Sequence, residues 1–384
     1  MKETTLQAAL ISATLMFIVS AAHAQSSVEL YGVIDEGIDY TNNSGGSSLL
    51  HMRDGTYDGV YGSRWGLRGT EDLGGGISAI FKLENGFSLE NGQLRQGGLE
   101  FGRQAYVGVS DTKLGTVTLG RQYDSVVDFL QPVTSPGVLA GPITHAGDID
   151  NTDNSFRVDN AVKYASPTIA GFRFGGVYSF TNTNAAGRGN TGMWSLGATY
   201  SIAGLTVAGA YEYSKDPALL FTDGNFIGNT KGAAIGASGA FSYVGNPANE
   251  QIFGAGATYV LGKATLGLDY TNTKFDDANG TLSTAIFTNY EAFGTYSFTP
   301  SWSVGASYTY THGAIGYNQQ VPIFHQFGLT TTYSLSKRTA IYAMGVYQKV
   351  GGAATMADIF DGVTGDASTN NHQLALRLGM YHQF

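Results

Sequence analysis

The segment "HQLALRLGMYHQF", residues 372–384, alternates between apolar and polar or small side chains. A period of two is typical of a β-strand whose two faces meet different environments. The face that suits lipid consists of Leu374, Leu376, Leu378, Met380, His382 and Phe384. The opposite face, which carries Arg377 among polar and small residues, suits water. The segment therefore predicts a strand with membrane lipid on one side and water on the other.

The same alternation recurs along most of the chain after Ser26, as in "LTVAGAYEY" (205–213) and "WSVGASYTY" (302–310). We predict sixteen strands, at residues 27–40, 63–71, 77–89, 99–110, 116–121, 157–166, 172–180, 193–201, 205–213, 250–260, 264–273, 286–297, 302–312, 322–334, 338–350 and 371–384. Short turns alternate strictly with longer polar segments near residues 41–62, 90–98, 122–156, 181–192, 214–249, 274–285, 313–321 and 351–370. This order predicts an all-β protein, an antiparallel up-and-down barrel with tight turns at one rim and long loops at the other.

The composition supports a membrane barrel. Only 13% of the residues are charged, about half the usual share, whereas 23 Tyr, 21 Phe and 54 Gly are all in excess. After the first two dozen residues no run of 18 apolar residues occurs, which excludes helical membrane spans. A closed barrel instead pairs all its backbone polar groups within lipid, and sixteen strands enclose a water-filled lumen.

The first 24 residues are typical of a secretory signal. Lys2 precedes the apolar run "AALISATLMFIVSAA", and Ala22-His23-Ala24 matches a small-x-small cleavage site. The alternative, a single anchoring helix, is disfavoured because the run is short and stops at that site. We therefore expect residues 1–24 to be removed and residues 25–384 to form the barrel. The chain has no cysteine for disulfides, and its net charge of −9 gives it no general affinity for nucleic acid.

Several long motifs occur in the order found in one known family. They are "SSVELYGVID" (26–35), "SRWGLRGTEDLGGGISAIFKLENGF" (63–87), "FGRQAYVGVSDTKLGTVTLGRQYD" (101–124), "DNAVKYASPTIAGFRFGGVYSF" (159–180) and "GMYHQF" (379–384). Together they resemble the beta-proteobacterial, neisserial and burkholderial type of the Gram-negative general-diffusion porins. The resemblance covers the whole chain after the signal.

The resemblance implies an outer-membrane channel for passive diffusion of small hydrophilic solutes and ions. It further implies short periplasmic turns, long extracellular loops, a third loop folded into the lumen, and a homotrimer surrounded by outer-membrane lipid and lipopolysaccharide. The terminal Phe384, with His382, Met380 and Leu378 on the same face, is similar to the signal that the outer-membrane barrel assembly machinery recognises. No cofactor is implied.

The resemblance also assigns charged residues to a constriction, where basic side chains on the wall face acidic ones on the third loop. Rings of charge at such a point filter solutes by size and sign. By motif, the basic wall residues are Arg64, Arg68, Lys82, Arg103 and Arg157, and the acidic loop residues are Asp124 and Asp128. A charge at the bilayer midplane on the lipid face would cost about 2–4 kcal/mol, so these side chains are expected to face water.

Strand parity supports some of these assignments better than others. Lys82 opposes Phe81 and Leu83, and Arg64 and Arg68 oppose Trp65 and Leu67. Arg103 is ambiguous by parity, and Arg121, at the mouth of the third loop, is a candidate for a subunit contact instead. For each basic residue the alternative is a solvated wall or rim charge that leaves selectivity unchanged.

The third long segment, residues 122–156, is too long to be a mere connector in a compact barrel. Three prolines stiffen it, and its apolar "VLAGPI" (138–143) is suited to rest on the inner wall. We expect it to constrict the lumen rather than lie at the surface. Asp148, Asp150 and Asp153 imitate part of a calcium loop, but the following acidic ligand is missing, so we expect a solvated acidic loop.

Other functions find little support. The seven His are scattered without metal-ligand spacing, and no Ser-His-carboxylate arrangement is evident, so neither a metal site nor an enzyme is expected. Two alternatives remain open: a channel specific for a sugar or an organic anion, and an adhesin or structural barrel with a filled lumen.

Overall fold

The computed structural model describes residues 27–139, 142–181, 191–221, 239–359 and 366–384; the expected signal, 1–24, lies outside them. The described chain forms seventeen strands in one antiparallel sheet. They are β1 Ser27–Ser44, β2 Ser47–Asp54, β3 Arg64–Gly74, β4 Ile77–Gly86, β5 Gln104–Asp111, β6 Gly115–Gln122, β7 Val158–Ala165, β8 Phe172–Phe180, β9 Thr191–Ile202, β10 Leu205–Lys215, β11 Asn249–Leu261, β12 Ala264–Asp276, β13 Ala285–Thr299, β14 Trp302–Ile315, β15 Pro322–Ser334, β16 Thr339–Gly352 and β17 His372–Gln383.

The sheet closes on itself. β17 pairs with β1 from Val33 opposite Gln383 to Thr41 opposite Ala375. β2 and β3 pair with successive parts of the same edge of β1, so together they occupy one position in the wall. The barrel therefore has sixteen strand positions, as predicted, and each predicted strand overlaps an observed one.

One expectation was wrong. The segment 41–62, expected to be a long loop, contains strand β2. Its turn is Gly45-Gly46, both with positive φ (60° and 100°), between Ser44 and Ser47, which are paired. Two glycines between strands are a known hairpin signal, because a tight hairpin turn requires left-handed backbone that glycine adopts without strain. The sequence carries this signal at residues 45–46, within the segment predicted as one long polar connection.

The two faces of the wall differ as the alternation predicts. In β17 the side chain of Leu378 is 63% exposed on the outside, whereas Arg377, on the inside, is 5% exposed. Exposed aromatic rings gather near the short turns, including Phe172, Tyr200, Tyr259, Tyr296, Trp302 and Tyr333. Such rings prefer the boundary between lipid and water, so they mark one edge of the apolar band.

Helices are short and lie in the loops. They are Gly55–Asp58, Gln96–Gly98, Val126–Leu130, Gln131–Val133, Ser135–Val138, Ala146–Asp148, Pro217–Leu220, Ala240–Tyr243 and Ala278–Gly280. Within the described ranges, none of the helices has the length and apolar character needed to cross a bilayer. The main buried apolar cluster lies inside the barrel, where Val126, Leu130, Ile149 and Phe156 pack against inward side chains of the wall.

Candidate functional site

The segment between β6 and β7, residues 123–157, crosses the interior of the barrel and is here called loop L3. Its apolar side chains lie on a bed of inward-facing glycines. A methyl group at Gly305 would stand 2.3 Å from Leu139 Cδ2, and one at Gly328 would stand 2.5 Å from Ile143 Cγ2. Glycines likewise face L3 in three other strands, at Gly175, Gly197, Gly254 and Gly256. These four, together with Gly305 and Gly328, are called the glycine bed. Because no Cβ occupies this space, Leu139 and Ile143 can lie against the wall, as predicted for "VLAGPI"; its residues 140 and 141 lie outside the described ranges.

Polar contacts fix the same loop to distant strands. The backbone N–H of Ser135 donates to Glu291 Oε1 of β13 at 2.6 Å. The side-chain amide of Gln326 in β15 donates to the carbonyls of Pro142 and Thr144, at 3.0 and 2.7 Å. L3 therefore lies along the inner wall from β8 to β15.

A histidine of L3 inserts among three carboxylates. Nδ1 of His145 lies 2.5 Å from Asp150 Oδ2, and its Nε2 lies 3.3 Å from Asp269 Oδ1 and 3.6 Å from Glu291 Oε2. Asp150 also accepts from Thr271 of β12 and from Asn289 of β13. These contacts join the returning half of L3 to the wall at β12 and β13.

Opposite the bed, cations gather on the wall around one carboxylate, Glu84 of β4. Arg103 Nε donates to Glu84 Oε1 at 2.9 Å, and Lys82 Nζ lies 3.2 Å from Oε2. Tyr31 donates to Oε2 at 2.7 Å. Tyr123, at the start of L3, donates to Oε1 at 3.1 Å and accepts from Arg103 Nη2 at 3.0 Å. A single carboxylate thus holds two of the predicted basic residues.

Two further predicted cations adjoin this group. The guanidinium of Arg157 lies over the Tyr123 ring at 5.8 Å. Arg64 Nη1 donates to the carbonyl of Gly62 at 3.1 Å, and a methyl group on Gly62 would stand 3.5 Å from Arg103 Nη1. We call Arg64, Lys82, Arg103, Arg157 and Glu84 the basic cluster. It holds four cations and one carboxylate.

Arg68 occupies a different environment. It lies nearer than Arg64 to the short turn that follows β3. Its side chain is 56% exposed, and its Nη2 atom lies 2.7 Å from Glu29 Oε2. Its guanidinium also lies over the Tyr31 ring at 5.1 Å. The geometry therefore places Arg68 in an exposed ion pair below the basic cluster, and its effect on selectivity stays a prediction.

The two predicted acidic residues do not face the basic cluster directly. Asp124 is fully buried and accepts from the N–H groups of Val126 and Val127, at 2.7 and 3.1 Å, and from Asn151 at 2.7 Å. Burial raises its pKa to about 6, although these backbone hydrogen bonds oppose the rise. Asp128 forms an ion pair with Lys163 of β7 at 2.5 Å. Both residues anchor L3, and a direct role in selectivity remains a prediction.

The acidic run of L3 is not the solvated loop expected from its sequence. Asp148 and Asp150 are buried, and Asp148 accepts from the backbone of Asp153 at 2.7 Å and of Ser155 at 3.1 Å. Burial, followed by the Asp150 charge, raises the pKa of Asp148 to about 7. Burial and Asp148 also raise the pKa of Asp153, while Arg157 and Arg103 lower it. Asp153 is therefore within electrostatic reach of two members of the basic cluster. The expectation failed because local polarity does not reveal that the loop folds inward.

A second ionic network closes the barrel seam. Arg377 of β17 pairs with Asp39 at 2.6 Å and Asp35 at 3.4 Å, both in β1. Its Nε also donates to Tyr342 of β16, whose hydroxyl donates to Asp35 at 2.6 Å. Three neighbouring strands are thereby joined by buried polar contacts on their inner face.

Sequence reasoning missed Glu84 and Tyr123, the two residues that hold the basic cluster together. A signal for Glu84 existed, because it lies two residues beyond Lys82 and so shares its face. Tyr123 lies where β6 has ended, and parity does not apply there. The terminal residues behave as the alternation predicts: Leu378, Met380 and Phe384 are exposed on the outer face, and Phe384 exchanges two backbone hydrogen bonds with Gly32 at 3.0 Å.

Comparisons with known proteins agree with this geometry. The sequence profile of the Gram-negative porin family matches residues 9–353. An outer membrane porin protein of Bordetella pertussis is 30% identical over 91% of this chain and 94% of its own length. Outer membrane porin protein 32 of Delftia acidovorans is 29% identical over 98% of this chain and 99% of its own.

Solved structures give the same result. An anion-selective porin from Comamonas acidovorans superposes with a TM-score of 0.75 at 25% identity, covering 94% of this chain and 100% of its own. The trimer form of OmpT from Vibrio cholerae shares the fold, with a TM-score of 0.67 at 16% identity over 94% and 99% of the two chains. The chain belongs to the Gram-negative porin family: it is an outer-membrane β-barrel of beta-proteobacterial type, a channel for passive diffusion of small hydrophilic solutes and ions, and not an enzyme.

Proposed function

We propose that the channel prefers anions weakly, and that the basic cluster is the part of the wall that sets this preference. The observation that supports the proposal is the imbalance of charge around Glu84: four cations, Arg64, Lys82, Arg103 and Arg157, lie around one carboxylate. This part of the wall thus carries more basic than acidic side chains, even though the whole chain has a net charge of −9. A charged wall in a narrow aqueous passage raises the local concentration of ions of opposite sign.

The magnitude is modest because the lumen is wet. One unit charge on the wall, about 5 Å from a permeating ion of opposite sign in water, lowers the energy of that ion by about 0.8 kcal/mol. This raises the local concentration of the ion roughly fourfold. Dissolved salt reduces this further. An excess of cations over carboxylates in this part of the wall therefore supports a preference for anions of several-fold rather than strict exclusion of cations. The similarity to the anion-selective porin from Comamonas acidovorans supports the same sign.

The remaining parts of the proposal concern assembly. We propose a homotrimer, supported by the likeness to porins of which one is described in a trimer form. We also propose that residues 1–24 are cleaved on export and that outer-membrane lipid and lipopolysaccharide surround the barrel of residues 25–384. The barrel assembly machinery would recognise Phe384, together with His382, Met380 and Leu378. The outward-facing side chains of this terminal segment support that role.

The selectivity proposal is tested by the reversal potential of the purified protein in a planar bilayer across a potassium chloride gradient. We expect the sign that corresponds to chloride permeating faster than potassium. A reversal potential of zero, or of the opposite sign, would overturn the proposed preference while leaving the channel function intact. Conductance that saturates with a single solute would instead support a substrate-specific channel.

A further inference from the structure

The buried cluster that joins L3 to β12 and β13 has a chemistry that ion permeation does not require. It consists of His145 of the loop, Asp269 of β12 and Glu291 of β13. All three side chains have 0% exposure. The imidazole nitrogen and one oxygen from each carboxylate lie within 4.8 Å of one another.

The histidine is oriented as metal-binding histidines usually are. Asp150 Oδ2 lies 2.5 Å from Nδ1, so the proton sits on Nδ1 when the ring is neutral and the lone pair of Nε2 points the other way. A ligating imidazole almost always donates its second ring N–H to a carboxylate or carbonyl in this manner. Asp150 is itself held by Thr271, Asn289 and Thr152.

The spacing of the three facing atoms fits a small divalent ion. Nε2 lies 3.3 Å from Asp269 Oδ1 and 3.6 Å from Glu291 Oε2. Ligands placed tetrahedrally at about 2.0–2.2 Å from zinc lie about 3.3–3.6 Å from each other. Nε2 of His145 and both oxygens of Asp269 make no well-aligned hydrogen bond to any described residue, although all are buried. Buried polar atoms that make no hydrogen bond are rare in proteins, and they indicate that a further group, such as a water or an ion, binds there.

Charge also favours a cation. Three carboxylates, those of Asp150, Asp269 and Glu291, surround a single imidazole. In the part of the chain that the structure describes, no Lys or Arg forms an ion pair with any of them. A divalent ion would offset this buried negative charge, which is otherwise costly.

A contrasting cluster in the same protein lacks these features. Asp39, His51 and Asp58 are equally close together, but Arg377 pairs with Asp39 and Arg53 pairs with Asp58. Two guanidinium groups already balance those carboxylates. The second cluster therefore serves as an internal control.

We propose that His145 Nε2, Asp269 and Glu291 bind a zinc-class divalent ion, with Asp150 orienting the imidazole. The nitrogen ligand favours zinc, cobalt or nickel over calcium and magnesium, which prefer oxygen ligands alone. The bound ion would fix the returning half of L3 to β12 and β13. Since L3 bounds the passage, the ion would hold the constriction in one position.

The test is zinc binding to the complete folded protein after removal of metal with a chelator, measured by calorimetry. Cobalt, whose visible absorption reports tetrahedral coordination, is the second probe, and calcium and magnesium chloride are the comparison ions. We expect one zinc per chain for the unmodified protein. His145→Gln should weaken binding more than about 100-fold, and Asp150→Asn by about 10–100-fold, as changes around metal ligands do. The matched control His51→Gln should bind as the unmodified protein does.

Zinc binding absent from the unmodified protein, or undiminished in His145→Gln, would overturn the proposal. If His145→Gln does not fold, Asp269→Asn decides in the same assay. Anomalous diffraction at the zinc edge from crystals of the unmodified protein decides independently of any variant: a peak between His145 and Asp269 is expected, and a peak elsewhere refutes the site. The inference does not depend on the proposed anion preference, because binding is measured without a salt gradient.

Discussion

Arg103 Nε donates to Glu84 Oε1 at 2.9 Å, which joins the approach to β5 to the inner face of β4. Glu84 is 3% exposed and also accepts from Tyr31 and Tyr123, so its four contacts fix the carboxylate firmly. A charge-assisted pair of this kind holds Arg103 in one orientation. The cluster thus combines the two ion pairs of Glu84, with Lys82 and Arg103, with two further cations, Arg64 and Arg157.

Replacing Glu84 by Gln should make the channel more selective for anions. The change keeps the shape and the Tyr31 contact but removes the carboxylate that pairs with both Lys82 and Arg103. We expect the ratio of chloride to potassium permeability to rise about twofold to fourfold. The reversal potential in a salt gradient measures it. Glu29→Gln, which removes the exposed partner of Arg68, is the control and should change the ratio much less; equal effects would contradict the account.

Filling the glycine bed should move L3 into the lumen. A side chain at Gly305 would meet Leu139 at 2.3 Å, so Gly305→Val must push the loop away from the wall. Overpacking of this kind costs about 1–3 kcal/mol. We expect lower single-channel conductance, and the matched control Gly209→Val, where the nearest contact of an added methyl group is 3.5 Å, should conduct normally. Unchanged conductance in Gly305→Val would show that L3 does not rest on this bed.

The buried Asp124 should make the anchoring of L3 depend on pH. Its pKa of about 6 in the folded protein exceeds the ordinary 3.8, so the folded state binds the proton more tightly than the unfolded state. The resulting stabilisation is complete below about pH 4 and is lost as the pH rises through 6. In Asp124→Asn this dependence should disappear. Thermal denaturation midpoints between pH 4 and 7 test it: the unmodified protein should fall more steeply than the variant, and parallel profiles would exclude the effect.

Breaking the seam network should destabilise the closed barrel. Arg377→Ala leaves Asp35 and Asp39 buried without their guanidinium partner, and removal of one member of a buried ion pair typically costs 3–5 kcal/mol. We expect a markedly lower denaturation midpoint in detergent. Arg338→Ala, in the turn before β16, is the control, and equal midpoints for both variants would show that the network contributes nothing.

The wall was largely predictable because a strand between lipid and water must alternate. Leu378 and Arg377 show this directly, since their exposures follow from parity alone. The contacts inside the barrel were harder to predict from the sequence. Ser135 and Glu291, for example, are separated by 156 residues, and no local sequence pattern indicates their hydrogen bond. The same holds for Asp148: its residue type predicts a solvent-exposed side chain, whereas the inward path of L3 buries it.

The central claim is that the basic cluster sets the anion preference, and Arg64→Ser tests it most directly. Arg64 donates to the backbone carbonyl of Gly62 and lies over the Tyr61 ring, and Glu84 keeps its ion pairs with Lys82 and Arg103 when Arg64 is removed. Arg68→Ser, in the exposed pair with Glu29, is the matched control. The measurement is the reversal potential of each variant in the same salt gradient. The account predicts that Arg64→Ser lowers the ratio of chloride to potassium permeability about twofold to fourfold while Arg68→Ser leaves it nearly unchanged. An unchanged ratio in Arg64→Ser, or an equal shift in both variants, would contradict it.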